Sequence, residues 1–75
     1  MNAEVTIDAS GLLCPLPVLK LQKAMKPLAQ GQVACLVATD PAAVVDVPHF
    51  CNEQGHRLVE TREHDEVTDY FVEKG

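Results

Sequence analysis

Apolar residues along the chain fall into six short groups, each with its own period. Residues 4–8, EVTID, place Val5 and Ile7 on one face of a short strand. From Pro15 to about Leu28, Val18, Leu21, Met25 and Leu28 recur at i, i+3, i+7 and i+10, which predicts an amphipathic helix with Lys20, Lys23 and Lys26 along another side. Pro27 and Gly31 are its expected stop signals. Residues 32–39, QVACLVAT, are nearly all apolar, as in a strand covered on both faces.

Thr39-Asp40-Pro41 reads as a helix start, with Asp40 as N-cap and Pro41 at the first helical position. Ala43, Val47, Phe50 and Cys51 supply the apolar face of that second helix, which closes at Gly55. Pro48 inside it implies either a kink or a restart capped by Asp46. Residues 57–63 and 67–73 alternate as strands, joined by the acidic turn His64-Asp65-Glu66.

The order βαβαββ implies a right-handed parallel crossover in the first unit. The expected fold is an α/β (α+β) two-layer sandwich, with a mixed four-stranded sheet and both helices on one face. At 75 residues the expectation is a single domain, 1–75, with a small core of Val, Leu and Ala because aromatics make up only 4%.

Charge narrows the function. A net charge of −5 disfavours nucleic acid and anionic membranes as main partners. No apolar run reaches the ~20 residues that span a bilayer. The opening MNAEVTIDAS has no basic region followed by an apolar stretch, so no signal peptide is expected. Three cysteines without framework spacing point to a reducing compartment, hence the cytoplasm.

Cys14-Pro15-Leu16-Pro17 carries the chemistry. With Pro15 at the first helical position and Pro17 still in the first turn, two rings stiffen the helix start and put Cys14 at its N-cap. A sulfur there faces the positive end of the helix dipole, so a stabilised, accessible thiolate is expected. The position of a resolving cysteine in a Cys-x-x-Cys pair is held by Pro17, which leaves a sulfur adduct on Cys14 free to survive until an acceptor takes it.

Cys35, alternating with Val33 and Val37, and Cys51, beside Phe50, read as inert core thiols. His49-x-Cys51-x4-His56 offers fewer ligands than a structural zinc site needs, so no metal is expected, and no cofactor. His56 is expected to close the second helix, His64 to sit in a solvated turn, and the acidic residues of 60–69 to form an exposed hairpin face.

Asp8-x-x-Gly11-x-x-Cys14-Pro15-x-Pro17, followed by Gly31, Thr39-Asp40-Pro41, Phe50 and Gly55-His56, resembles the TusA (SirA-like) family of sulfur carriers along nearly the whole chain. The resemblance implies that Cys14 accepts sulfane sulfur as a persulfide. The donor would be a cysteine desulfurase or a rhodanese-like protein, and an acceptor protein would take the sulfur onward. Family destinations include tRNA thiolation, molybdenum-cofactor enzymes and oxidative sulfur metabolism. It also marks Asp8, Gly11, Pro15, Pro17, Asp40 and Pro41 as supporting the motif.

Some members of the family carry Arg before the cysteine and Glu between the prolines, where this chain has Leu13 and Leu16. These two leucines, rimmed by Lys20 and Lys23, are the expected docking face of a monomer. A thiol-dependent redox enzyme using Cys14 and a regulatory or RNA-binding module are the alternative readings. The first lacks a resolving thiol or base near Cys14 in the sequence, and the second is disfavoured by the acidic charge.

Overall fold

Six elements follow the expected order: β1 (Val5–Ala9), α1 (Leu16–Met25), β2 (Val33–Ala38), α2 (Ala43–Gln54), β3 (Arg57–His64) and β4 (Val67–Glu73). The computed structural model describes residues 3–75; Met1 and Asn2, part of the opening stretch read for a leader, lie outside the described residues. The sheet runs β1-β2-β4-β3. β1 and β2 are parallel, with Ile7 opposite Leu36, and both other pairings are antiparallel. The predicted mixed sheet and two-layer α+β sandwich are therefore what the chain forms.

The core lies between sheet and helices. Leu21 and Met25 of α1, and Ala43, Val47, Phe50 and Cys51 of α2, meet Ile7, Ala9, Ala34, Leu36, Ala38, Tyr70 and Val72 from the sheet. The face of α2 read from its periodicity is the face it buries. Burying a side chain such as Leu21 or Val47 contributes about 1.5–3 kcal/mol, which is how helices this short hold their conformation.

β2 departs from expectation. Its apolar character suggested cover on both faces, yet both helices pack on one. Cys35 pairs with Phe71 on the opposite face, where the Arg62 guanidinium lies 5.7 Å from the Phe71 ring centroid. The guanidinium over the ring supplies part of the cover a helix would have given.

α1 also stops earlier than its periodicity suggests, at Met25 rather than about Leu28. Pro27 has no N–H to add to the ladder. The Lys74 ammonium, from the end of the chain, donates to the Met25 carbonyl at 2.8 Å and so satisfies the helix terminus.

α2 runs unbroken through Pro48, so no restart capped by Asp46 occurs. The acceptor this proline leaves without a donor is the carbonyl of Val44, in the first turn, where the residue is exposed and water can serve. Gly55 ends α2 in the left-handed region, φ 74°, and the His56 N–H donates to the Cys51 carbonyl.

The hairpin turn is tighter than expected. His64 belongs to β3 and faces Val67, leaving only Asp65 and Glu66 as the turn, at φ 48° and 65°. Two left-handed residues match the twist of a two-residue hairpin, but each costs a non-glycine side chain roughly 1 kcal/mol. Glu66→Gly is therefore expected to stabilise the fold by about 0.5–1 kcal/mol. A higher urea midpoint at unchanged slope would show it; a lower midpoint would mean that the Glu66 side chain is needed.

Candidate functional site

Because β1 and β2 are parallel, their C-terminal ends lie at the same edge of the sheet, and each feeds a loop that starts a helix. The two loops are tied together. Gly11, at φ +79°, turns the first loop so that its N–H donates to Thr39 Oγ1 at 2.8 Å. The Cys14 N–H then donates to Asp40 Oδ2 at 2.7 Å, and the Ala42 N–H donates to Asp40 Oδ1 at 3.0 Å. One buried carboxylate thus fixes the cysteine loop and the entry to α2 together.

Two start signals are displaced from where the sequence put them. Asp40 caps a turn ahead of α2, and the helix begins at Ala43 rather than Pro41. In α1 the N-cap is Pro15, whose carbonyl accepts the first helical bond from Leu19. Cys14 is one residue outside the helix, Leu16 takes the first position and Pro17 the second. Pro17 is fully buried and anchors this corner in the core, while Pro15 lines the surface beside the thiol.

The electrostatics of Cys14 reverse the expectation. Its thiol is pushed above the ordinary cysteine value, chiefly by hydrogen bonding to the Asp46 carboxylate, then by partial loss of solvent and by the charges of Asp46 and Asp40. A dipole effect fades outside the first turn, and two nearby carboxylates outweigh it. The thiol is exposed and free, and the nearby carboxylates oppose its ionisation.

Cys14 opens onto a groove of about 300 Å³ between the helices, lined by Pro15, Val18, Asp46, His49, Phe50 and Glu53, with Gln54 at one end. Its floor is apolar, and its ionisable groups all come from α2. His49 pairs with Glu53 one turn along that helix. Outside the groove lining, Leu13, Leu16 and Leu19 from the cysteine loop and α1, and Val44 and Val45 from the start of α2, are also exposed, Val45 at 71%.

The remaining sites resolve as follows. Cys35 and Cys51 are buried free thiols, both pushed up by burial. Asp8 accepts from the Ser10 N–H at 3.0 Å, shaping the start of the cysteine loop, and this bond holds its carboxyl below the usual range. Lys20 donates to the Asp8 carbonyl at 3.1 Å and so serves the fold; Lys23 is exposed further along α1. Among the described residues no cluster of three or more His, Cys, Asp or Glu is placed to hold a metal ion. No helix among them is long and apolar enough to cross a membrane.

Sequence reading missed Asp46 as a neighbour of the thiol, and it missed Leu19, Val44 and Val45. A signal was present. All three apolar residues lie off the packing faces of their helices, where polar side chains are the rule.

The two parallel strand ends and the exposed cysteine they present define a small thiol-bearing α+β domain. The chain belongs to the family described as Sulfurtransferase TusA, which matches residues 5–74. It is 42% identical over 73 residues to two provisionally named sulfur carrier proteins of Neisseria meningitidis, from serogroups A and B, with 97% of each chain covered. Its fold is similar to the crystal structure of a SirA-like protein from Desulfitobacterium hafniense. There the TM-score is 0.84 and the identity 27%, with 95% of this chain and 97% of the other covered. The chain is thus a TusA-like sulfur carrier.

Proposed function

We propose that region 5–74 acts as a single carrier domain in the cytoplasm and holds sulfur as a persulfide on Cys14. A donor protein such as a cysteine desulfurase or a rhodanese supplies the sulfur and an acceptor protein removes it. The observation that carries this reading is the contrast among the three thiols: only Cys14 is exposed, at the meeting point of both helix starts, while Cys35 and Cys51 are buried.

The chemistry is exchange without net oxidation. The Cys14 thiol loses its proton to solvent, and its sulfur bonds to the outer sulfur of the donor's persulfide. The donor's S–S bond breaks, its electron pair stays on the donor cysteine, and that thiolate takes up a proton. Unloading is the same step with the acceptor as nucleophile. No co-reactant is consumed, and Cys14 needs no resolving thiol, consistent with Pro17 at that position. Leu13 and Leu16, exposed apolar side chains on either side of Cys14-Pro15 in the sequence, suit contact with protein rather than with a free metabolite. tRNA thiolation, molybdenum-cofactor synthesis and sulfur oxidation are destinations that would share this protein-borne step.

Loading tests it directly. After incubation with a cysteine desulfurase and cysteine, peptide mass mapping is expected to place one additional sulfur on the peptide containing Cys14, removable by reductant. Sulfur found on Cys35 or Cys51 instead would overturn the assignment.

A further inference from the structure

The groove beside Cys14 is one-sided in charge. From α2 it receives Asp46, His49 and Glu53, with His49 and Glu53 paired to each other. Beneath the thiol, at the β2–α2 loop, lies Asp40, engaged with the Cys14 and Ala42 amides. From α1 the lining residues are Pro15 and Val18, which carry no charge, and Lys20 is turned to the Asp8 carbonyl. No lysine or arginine lines the groove among the described residues. Asp46 is therefore the one carboxylate in the lining with neither a cationic partner nor a backbone amide bonded to it.

We propose that Asp46, which faces the same groove as the Cys14 thiol, opposes negative charge on that sulfur in the free protein, and that the groove selects sulfur partners bringing a lysine or arginine beside their own cysteine.

The proposal deepens the carrier reading, and rests on it only for the biological meaning of the partner. Loading needs the thiolate, because the thiol is a poor nucleophile. Two carboxylates near the sulfur oppose that anion, and they equally oppose a persulfide anion once sulfur has been taken on. A cation seated against Asp46 removes the opposition at the moment of transfer. With that cation beside the sulfur, the proton leaves to solvent and the thiolate attacks while the partner is docked. In the free carrier the same carboxylates repel small anionic oxidants and inorganic sulfur anions such as thiosulfate, so the thiol is spared from premature reaction. Exposed Leu13 and Leu16 supply contact area, and Asp46 supplies discrimination among partners.

Two measurements on the full chain decide it, and neither requires sulfur carriage. The first is the pH profile of iodoacetamide alkylation at Cys14. In the folded protein the midpoint is expected to lie above that of the same thiol in the urea-unfolded chain. It should fall in Asp46→Asn and stay near the wild-type value in Asp46→Glu. Protection of Cys35 and Cys51 from the reagent reports that each variant is folded, and the folded-against-unfolded comparison holds even if a variant is not. A wild-type midpoint at or below the unfolded one, or an Asp46→Asn profile superimposed on wild type, would overturn the proposal.

The second measurement is thiol–disulfide exchange with two synthetic peptides. Each carries a cysteine activated as its thionitrobenzoate disulfide, one flanked by arginines and the other by glutamates. Cys14 attacks the peptide sulfur, the S–S bond breaks, and coloured thionitrobenzoate leaves with the electron pair. The arginine peptide is expected to react about tenfold faster at low salt, and the advantage should shrink in Asp46→Asn and with added salt. Equal rates for both peptides with the wild-type protein would overturn the partner preference. If both measurements succeed while desulfurase loading fails, the sulfur-carrier reading is wrong and the gated thiol stands.

Discussion

Cys14→Ser is expected to abolish sulfur loading completely, while the protein stays folded and its unfolding midpoint moves little. The side chain is exposed, and the contact that fixes the loop is made by the backbone: the Cys14 N–H donates to Asp40 whatever side chain the residue carries. A hydroxyl at this position cannot form the S–S bond that holds the cargo, so the loss is total rather than graded. Cys51→Ser should show the reverse pattern. Cys51 sits in the core at 3% exposure, and burying a hydroxyl there costs about 1–3 kcal/mol, yet the folded fraction should load normally. Intact-mass spectrometry before and after reductant, beside urea denaturation of each variant, separates chemistry from stability. Sulfur retained by Cys14→Ser, or lost from well-folded Cys51→Ser, would refute the assignment of roles.

Most of the architecture was readable because local signals agreed with one another. The α2 face of Ala43, Val47, Phe50 and Cys51 follows helical period and is the buried face. The β4 segment, read as 67–73, is the strand observed. Errors arose where two rules competed for the same residues. Cys14-Pro15-Leu16-Pro17 offers a proline for the first helical position in two registers, and the chain takes neither: Pro15 is the N-cap, Leu16 comes first, and Pro17 is buried at the second position. That one-residue displacement removes the thiol from the helix terminus and exposes it to α2 instead. The sulfur then shares a groove with Asp46, 32 positions along the chain, a pairing that no local spacing announces.

The candidate site shows the same division. The exposed thiol could be picked out from its sequence neighbours, since the prolines around Cys14 serve a local need. Its electrical environment depends on how β1 and β2 bring two loops to one sheet edge. Exposed Leu19, Val44 and Val45 were visible as apolar residues off the packing faces. That the loops carrying Cys14 and Asp40 meet at one sheet edge follows only from the parallel strand pair. Lys20 stood out as a charge near the thiol, and its bond to the Asp8 carbonyl is a contact that only the folded loop supplies.

The other large effect is expected at Asp40. This carboxylate is 8% exposed and accepts from two backbone amides, Cys14 at 2.7 Å and Ala42 at 3.0 Å. Hydrogen bonds to a charged group contribute about 1.5–3 kcal/mol each. In Asp40→Ala, water entering the loosened loops would recover part of that, so a net loss of about 2–4 kcal/mol is expected. Against a total of roughly 4–11 kcal/mol for a domain of this length, such a loss is severe, and the urea midpoint should fall accordingly.

Asp40→Asn keeps the volume and one accepting oxygen but turns an NH₂ toward the other amide. It should therefore fall between Ala and wild type. The local consequence is distinct from the global one: amide exchange at Cys14 and Ala42 should accelerate beyond what the lost stability explains, while that of buried Leu36 follows stability alone. Removing one of the two carboxylates that oppose the thiolate should also lower the alkylation midpoint of Cys14. That shift should be smaller than in Asp46→Asn, because Asp46 is the larger influence on the sulfur. An Asp40→Ala variant within 0.5 kcal/mol of wild type, the scatter of ordinary surface substitutions, would show that the cysteine loop is held by something other than this carboxylate.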